Sequence, residues 1–278
     1  MSANLNFSTG NIISGGCKIA YRIDGALDRP WLIFSNSLAT TMSLWDGQVS
    51  YLGQSFRILR YDQRGHGASA IPDHPCTFAE LADDVIALMD HLGIEQAALA
   101  GVSMGAVTVL SLAARYPQRV ERVLACDGQW QAPAGAAQAW AARIATAGES
   151  GMAELVDPTL ARWFSPAFLA GQSAALEKVR EMIASTPAQG FIQCARALQA
   201  YELREEIAGI RVPCLLLVGA DDGALPGVMR QMADAIPTAG YVEVANAGHL
   251  PNIDCSDTFN AEAAHFLMAG SDRHGAFI

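Results

Sequence analysis

The chain has 278 residues, 51% of them hydrophobic and 17% charged, enough apolar material for one large core or for a core carrying an insertion. A formal net charge of −10 without any Lys/Arg block argues against nucleic acid and anionic membranes as partners. No apolar run is long enough to span a bilayer, and the opening residues MSANLNFSTGN lack the basic start and apolar stretch of a secretory signal.

In chain order, CKIAYRIDG (17–25) alternates as an antiparallel strand does, while PWLIFSNS (30–37) and FRILRYD (56–62) are continuous apolar runs of the kind that become strands buried on both faces. FAELADDVIALMDHLGI (78–94) places Phe78, Leu81, Val85, Leu88, Met89 and Leu92 at three- and four-residue steps before Gly93, which predicts an amphipathic helix with a glycine cap. QAALAGV (96–102) predicts a strand, GAVTVLSLAARYP (105–117) a helix closed by Pro117, and VERVLACD (120–127) another strand. Residues 129 to about 207 are Ala-rich and helical in pattern. Strands return at VPCLLLVGA (212–220) and GYVEVAN (240–246), SDTFNAEAAHFLM (256–268) reads as a closing helix, and GSDRHGAFI as a loose tail. Strands alternating with helices predict an α/β fold with a mainly parallel sheet flanked by helices. The expected division is a core of residues 1–128 and 208–278 with a helical cap, 129–207, inserted before the last two strands.

LAGVSMGAV (99–107) sets Ser103 in a G-x-S-x-G between a predicted strand and a predicted helix. That context marks a nucleophile elbow, in which glycines permit a tight turn that holds the serine hydroxyl out at the sheet edge. A serine hydroxyl needs a base to take its proton, and the elbow's partners follow in the order acid, then histidine. His249, in the loop after YVEVA, fits by order and by edge. His91 and His265 lie on predicted helices, His74 in a Pro-rich loop and His274 in the tail, while His66 precedes the serine and reads as structural. Two carboxylates qualify as the acid: Asp222, after the penultimate strand, and Asp127, after the strand before the cap. Asp222 is favoured, Asp127 stays open, and Asp221 reads as a turn residue.

GHGASA (65–70) mimics a dinucleotide fingerprint, but Pro72 and Pro75 stand where the phosphate-binding helix would begin. With no P-loop, H-E-x-x-H or Cys/His metal spacing either, the expectation is no cofactor and no metal. The six cysteines (17, 76, 126, 194, 214 and 255) show no paired spacing and are expected to be reduced thiols of a cytoplasmic protein.

These residues, with SNSLATTMSLWDGQ (35–48), LRYDQRGHGAS (59–69), ARWFSPAF (161–168), YELREEIAGIRVPCLLLVGADD (201–222) and AGHLPNID (247–254), resemble the α/β-hydrolase superfamily along the whole chain. Within it the chain looks most like the 3-oxoadipate enol-lactonases of aromatic-compound degradation. The resemblance implies Ser103 as nucleophile, His249 as base, Asp222 as acid, and an oxyanion hole from the N–H groups of Leu38 and Met104. Three departures stand out: Ala39 and Ala106 replace expected glycines, and Asp127 stands where the lactonases tend to carry Asn. The expected reaction is hydrolysis of a small carboxylated lactone or ester through an acyl-enzyme. Alternatives on the same triad are a C–C bond or amide hydrolase or a carboxylesterase. A cofactor-free oxygenase is disfavoured because Val102, not His, precedes the serine, and a non-catalytic receptor is disfavoured by the intact triad. Trp140, Arg143 and Trp163 are the candidate substrate-binding residues of the cap, with Arg162 and Phe164 beside them. A small-molecule substrate is the only partner expected; assembly into a homo-oligomer is left open.

Overall fold

The apolar runs become the central strands of one eight-stranded sheet. The structure, a computed structural model, describes residues 7–269; the predicted tail and His274 lie outside the described residues. The order along the chain is β1 (Ser8–Ser14), β2 (Cys17–Gly25), β3 (Trp31–Ser35), α1 (Asp46–Leu52), β4 (Arg57–Tyr61), α2 (Phe78–His91), β5 (Ala97–Val102), α3 (Met104–Arg115) and β6 (Val120–Cys126). Then come α4 (Ala136–Ser150), α5 (Ala153–Trp163), α6 (Pro166–Ala170), α7 (Ala174–Ser185), α8 (Ala188–Gln199) and α9 (Arg204–Ala208). The chain closes with β7 (Cys214–Gly219), α10 (Leu225–Ala235), β8 (Ala239–Val244), α11 (Pro251–Asp254) and α12 (Ser256–Met268).

The strands lie in the order β1-β2-β4-β3-β5-β6-β7-β8. β2 pairs antiparallel with β1 and β4, and every other pairing is parallel. The order reverses between β3 and β5, which opens a crevice at their carboxyl ends, where open α/β sheets place their ligands. Alternate residues of β5 feed opposite faces: Ala98, Ala100 and Val102 join one apolar cluster, Ala97 and Leu99 the other. A strand covered on both faces therefore reads as a continuous apolar run.

β1 was not apparent from the sequence pattern. Of its residues STGNIIS only Ile12 and Ile13 are large and apolar, and it forms the sheet edge with Ile13 exposed, so little of it carries the burial that writes a pattern into a strand. α2 begins at a full capping box: Thr77 Oγ1 accepts the N–H of Glu80, and Glu80 accepts the N–H of Thr77. All six cysteines are free thiols.

Between β6 and β7 the chain runs through α4–α9. A short antiparallel neck closes this excursion: Ala132 N–H donates to Tyr201 O (2.9 Å) and Leu203 N–H to Trp130 O (2.8 Å). Leu155, Leu160, Val179, Ile183 and Cys194 share one apolar cluster with Phe34 and Val102. The glycine loop after β4 meets α8 so closely that a Cβ on Gly190 would lie 1.9 Å from Gly65 O. The look-alike dinucleotide loop is thus a close backbone contact between the sheet's loops and α8.

Candidate active site

Ser103 follows β5 directly and caps α3 with φ 58 and ψ −119, a conformation that costs a non-glycine residue roughly 1–3 kcal/mol. The flanking glycines explain why the turn closes. A Cβ on Gly101 would meet Gly105 O at 2.3 Å, and one on Gly105 would meet Ser35 O at 2.2 Å. Ser103 N–H donates to Cys126 O at 2.8 Å, tying the elbow to β6.

His249 stands in the loop after β8. Its N–H donates to Trp163 O at 2.8 Å, and its ring stacks on Trp163 with centroids 5.9 Å apart. Asp254 Oδ2 accepts the N–H of the preceding Gly248 at 2.7 Å. So fixed, His249 Nε2 lies 2.8 Å from Ser103 Oγ, and Nδ1 lies 2.6 Å from Asp222 Oδ2. Asp222, in the loop after β7, is therefore the carboxylate on the imidazole. Burial raises its pKa, but the charge and hydrogen bond of His249 outweigh burial, helped by Asp127 and Arg162, and the carboxyl titrates below the usual range.

Asp127 is turned elsewhere. It follows β6 in a left-handed conformation, φ 49, and its Oδ1 accepts the N–H of Gly219 at 2.9 Å. Asp127, Asp222 and His249 each offer one ligand-type atom within 4.8 Å of the others. Of these three side chains, His249 and Asp222 are already hydrogen-bonded to each other at 2.6 Å, through Nδ1 and Oδ2.

The loop after β3 faces the elbow. Ala39, where a glycine was expected, adopts φ 61 and donates its N–H to His66 Nε2 at 3.0 Å. Arg64 O lies 3.1 Å from His66 Nδ1, so the ring is read as the Nδ1–H tautomer, donating to that carbonyl and accepting from Ala39. Burial pulls its pKa down to about 4 and keeps it neutral. Ala106, the second departure, places its methyl against Gly128, where a Cβ would lie 2.7 Å away.

A cavity of about 480 Å³ opens over Ser103, Leu38, Met104 and His249, within the range of small-molecule sites. Its far side comes from the helical excursion and includes Trp140, Arg143, Arg162 and Trp163. The Arg143 and Arg162 guanidinium carbons lie 4.6 and 5.9 Å from the Trp140 ring centroid. Among the described residues neither arginine has a hydrogen bond or ion-pair partner. Burial lowers the pKa of Arg143; burial and repulsion from Arg143 bring Arg162 down to about 10. Phe164 is buried against Phe168 and does not line the cavity.

Sequence reasoning did not single out Tyr201 and Gln129, which line the cavity beside the neck, or Asp254. Tyr201 carries no motif, and only the fold brings it back to β6. Asp254 lies six residues beyond the glycine it holds, outside any turn pattern.

A strand–serine–helix elbow beneath a histidine and a carboxylate, on this sheet, defines a class, and comparison with known proteins agrees. The family model of the α/β hydrolase fold matches residues 30–255. The chain belongs to that family and is a hydrolase. Over 86% of this chain and 89% of the relative, it is 36% identical to 3-oxoadipate enol-lactonase 2 of Acinetobacter baylyi. It is 29% identical to a putative carbamate hydrolase of Caulobacter sp., over 87% and 92% of the two chains. The crystal structure of the enol-lactonase from Burkholderia xenovorans LB400 superposes with a TM-score of 0.89 at 38% identity, covering 93% of this chain and all of that one. Among the described residues, no helix is long and apolar enough to cross a membrane.

Proposed function

We propose that the chain hydrolyses a small carboxylated lactone or ester, of the 3-oxoadipate enol-lactone kind, through an acyl-enzyme on Ser103. The observation that carries this reading is the unbroken line Ser103–His249–Asp222 in one cavity with two guanidiniums that have no hydrogen-bonded or ion-paired carboxylate among the described residues.

His249 Nε2 accepts the Ser103 proton as Oγ attacks the carbonyl carbon. Asp222 holds the Nδ1–H tautomer and offsets the imidazolium that forms. The N–H groups of Leu38 and Met104 receive the oxyanion. Met104 N–H opens α3 and has no carbonyl a turn earlier to serve, and the oxyanion loop's own bonds use the N–H groups of Ala39 and Thr40 instead. Each such donor contributes about 3 kcal/mol to the transition state. Collapse breaks the ring C–O bond, and His249 returns its proton to the leaving enolate oxygen. A water deprotonated by the same nitrogen then attacks the acyl carbon, the bond to Ser103 Oγ breaks as His249 returns the proton to that oxygen, and the product carboxylate leaves.

The helices over 129–207 act in this reading as a cap that sets specificity. Arg143 takes the substrate carboxylate, since a planar guanidinium binds that group through two parallel hydrogen bonds. Trp140 supplies an apolar wall beside it, and Trp163 works chiefly through its carbonyl and ring on His249. Full-length relatives named as carbamate hydrolases support a second substrate, a small carbamate, on the same machinery.

The deciding experiment is ultraviolet-monitored hydrolysis of 3-oxoadipate enol-lactone by the wild type and Ser103→Ala. Turnover abolished by the substitution is expected. No turnover of the lactone alongside turnover of a carbamate would move the substrate, not the nucleophile.

A further inference from the structure

Asp127 presents a chemical problem that the triad does not solve. Its side chain is 1% exposed. Oδ1 accepts the Gly219 N–H, but Oδ2 is buried with no donor to accept from. What lies beside it is a second carboxyl, Asp222. Two carboxylates cannot hydrogen-bond each other, because both only accept; one proton between them turns the repulsion into a bond.

We propose that Asp127 is held as a neutral carboxylic acid whose Oδ2–H donates to the Asp222 carboxylate, making it a positioning residue that aims Asp222 at His249 Nδ1. The inference rests on the triad reading above. The surroundings decide which partner keeps the proton. Asp222 faces the imidazole and Arg162, both of which favour its charge. Asp127 has no ion-paired cation among the described residues, and the His249 ring, which has an atom within 4.8 Å of its carboxyl, gives its Nδ1 to Asp222 instead. Around it are the Asp222 carboxylate, the more distant Asp254 carboxylate, the buried neutral thiol of Cys126 and a single N–H donor. Burial and the Asp222 charge accordingly push the Asp127 carboxyl well above the usual carboxylate range.

The arrangement has a mechanical consequence. Asp127 follows β6 directly in the chain and bonds β7 twice, through its own N–H to Leu217 O (3.1 Å) and through Oδ1, which accepts the Gly219 N–H. Its proton then reaches the loop after β7 that carries Asp222. The acid of the triad is thereby referenced to two central strands, although it sits on a surface turn. The net charge behind the imidazole stays at one, so His249 meets one carboxylate rather than two.

Two measurements test this. The first does not need activity: an infrared difference spectrum of wild type minus Asp127→Asn, at about pH 8, some four units above an ordinary aspartate. A protonated-carboxyl C=O band lost in the variant is expected, and Asp127→Ala should lose the same band. No such band would overturn the inference. The second is the pH profile of kcat/KM. In Asp127→Asn the amide Oδ1 can accept from Gly219 and Nδ2 can donate to Asp222, so the variant reproduces the neutral acid. Its acid limb should stay in place and kcat fall by no more than about tenfold, while Asp127→Ala, which has no donor, loses more. A limb displaced to lower pH would mean that a charge had been removed, and the proposal would be wrong. A loss on the order of 10⁴, the cost of an amide at a triad acid, would instead make Asp127 the working acid and also refute it. Failure of the wild type on every ester and lactone would remove the triad reading while leaving the infrared result to stand or fall alone.

Discussion

Two pairs of arginines divide the molecule into a part that is complete and a part that waits. By the loop after β3, Arg60 and Arg64 are each 2% exposed and paired with carboxylates. Arg60 binds Asp24 through Nε and Nη2 (3.0 and 2.7 Å) and also reaches Asp46. Arg64 grips Asp84 with both prongs at 2.7 and 2.6 Å. Burial alone would lower the Arg64 pKa, yet Asp84 more than reverses that and raises it. Over the cavity, Arg143 and Arg162 have the same chemistry and the opposite balance. Among the described residues neither has a hydrogen-bonded or ion-paired carboxylate; burial weakens Arg143's hold on its proton, and burial and repulsion from Arg143 weaken that of Arg162 more than the charge of Asp222 restores it. A matched guanidinium is architecture; an unmatched pair lining a cavity is, in the function proposed above, what receives the carboxylate of the substrate.

The contrast breaks most sharply at the elbow between the two regions. Ser103→Ala should lower kcat on the order of 10⁶, with melting temperature held, since alanine at φ 58 carries the same backbone strain as serine. Arg64→Met should act in reverse, leaving Asp84 buried without a partner and costing about 3–5 kcal/mol of stability, read as a shift in urea midpoint. An Arg64→Met protein as stable as the wild type would mean that pairing does not separate the two arginine classes. Arg143→Met is expected to raise KM for a carboxylated substrate about 10- to 100-fold, the worth of one charged hydrogen-bond pair. KM for a neutral ester of similar size should stay put, and stability should not fall. Equal loss on both substrates would make Arg143 a packing residue.

Acid should act on the matched region before the cavity. His66 is neutral and accepts the Ala39 N–H, with its pKa pulled down from 6.5 to about 4. Below 6.5 the unfolded chain takes up a proton that the folded chain refuses. Stability is therefore lost as pH falls from 6.5 toward 4, by about 3 kcal/mol from this ring at 1.36 kcal/mol per unit. Denaturation midpoints of His66→Gln should lack that slope.

How much of this was legible depended on whether a residue's work is local. The elbow could be read because β5, Ser103 and α3 are contiguous and Gly101 serves a contact with Gly105, four residues on. His249 could be read from its place after a strand. The choice between Asp222 and Asp127 could not, since both follow strands at the same edge; a left-handed turn at Asp127, which aims its carboxyl at Gly219, decides which one meets the imidazole. Ala39 is a similar case. A glycine is the cheaper residue at φ 61, and only the bond to His66, from another strand's loop, shows what holds an alanine there. The cavity's arginines were visible as residue types, but being unpaired is a property of everything around them.

The smallest expected effect concerns the loop that joins the two regions. Asp254 holds Gly248 N–H, and Gly248 lies so close to Trp163 O that a Cβ would stand 2.2 Å from it. Burial raises the Asp254 carboxyl from 3.8 to about 6, more than its backbone donors lower it. A raised carboxyl takes up a proton on folding, so between about 4 and about 6 stability falls as pH rises, and the deficit is constant above. The side chain keeps some contact with solvent, which screens its charge and trims the cost to about 1 kcal/mol. Asp254→Asn retains an oxygen for Gly248 and carries no charge. Its stability relative to wild type should therefore climb by about that amount from pH 4 to pH 7 and then level off. A difference flat across that range would show that burial does not raise the Asp254 carboxyl where it sits, and the expectation would be wrong.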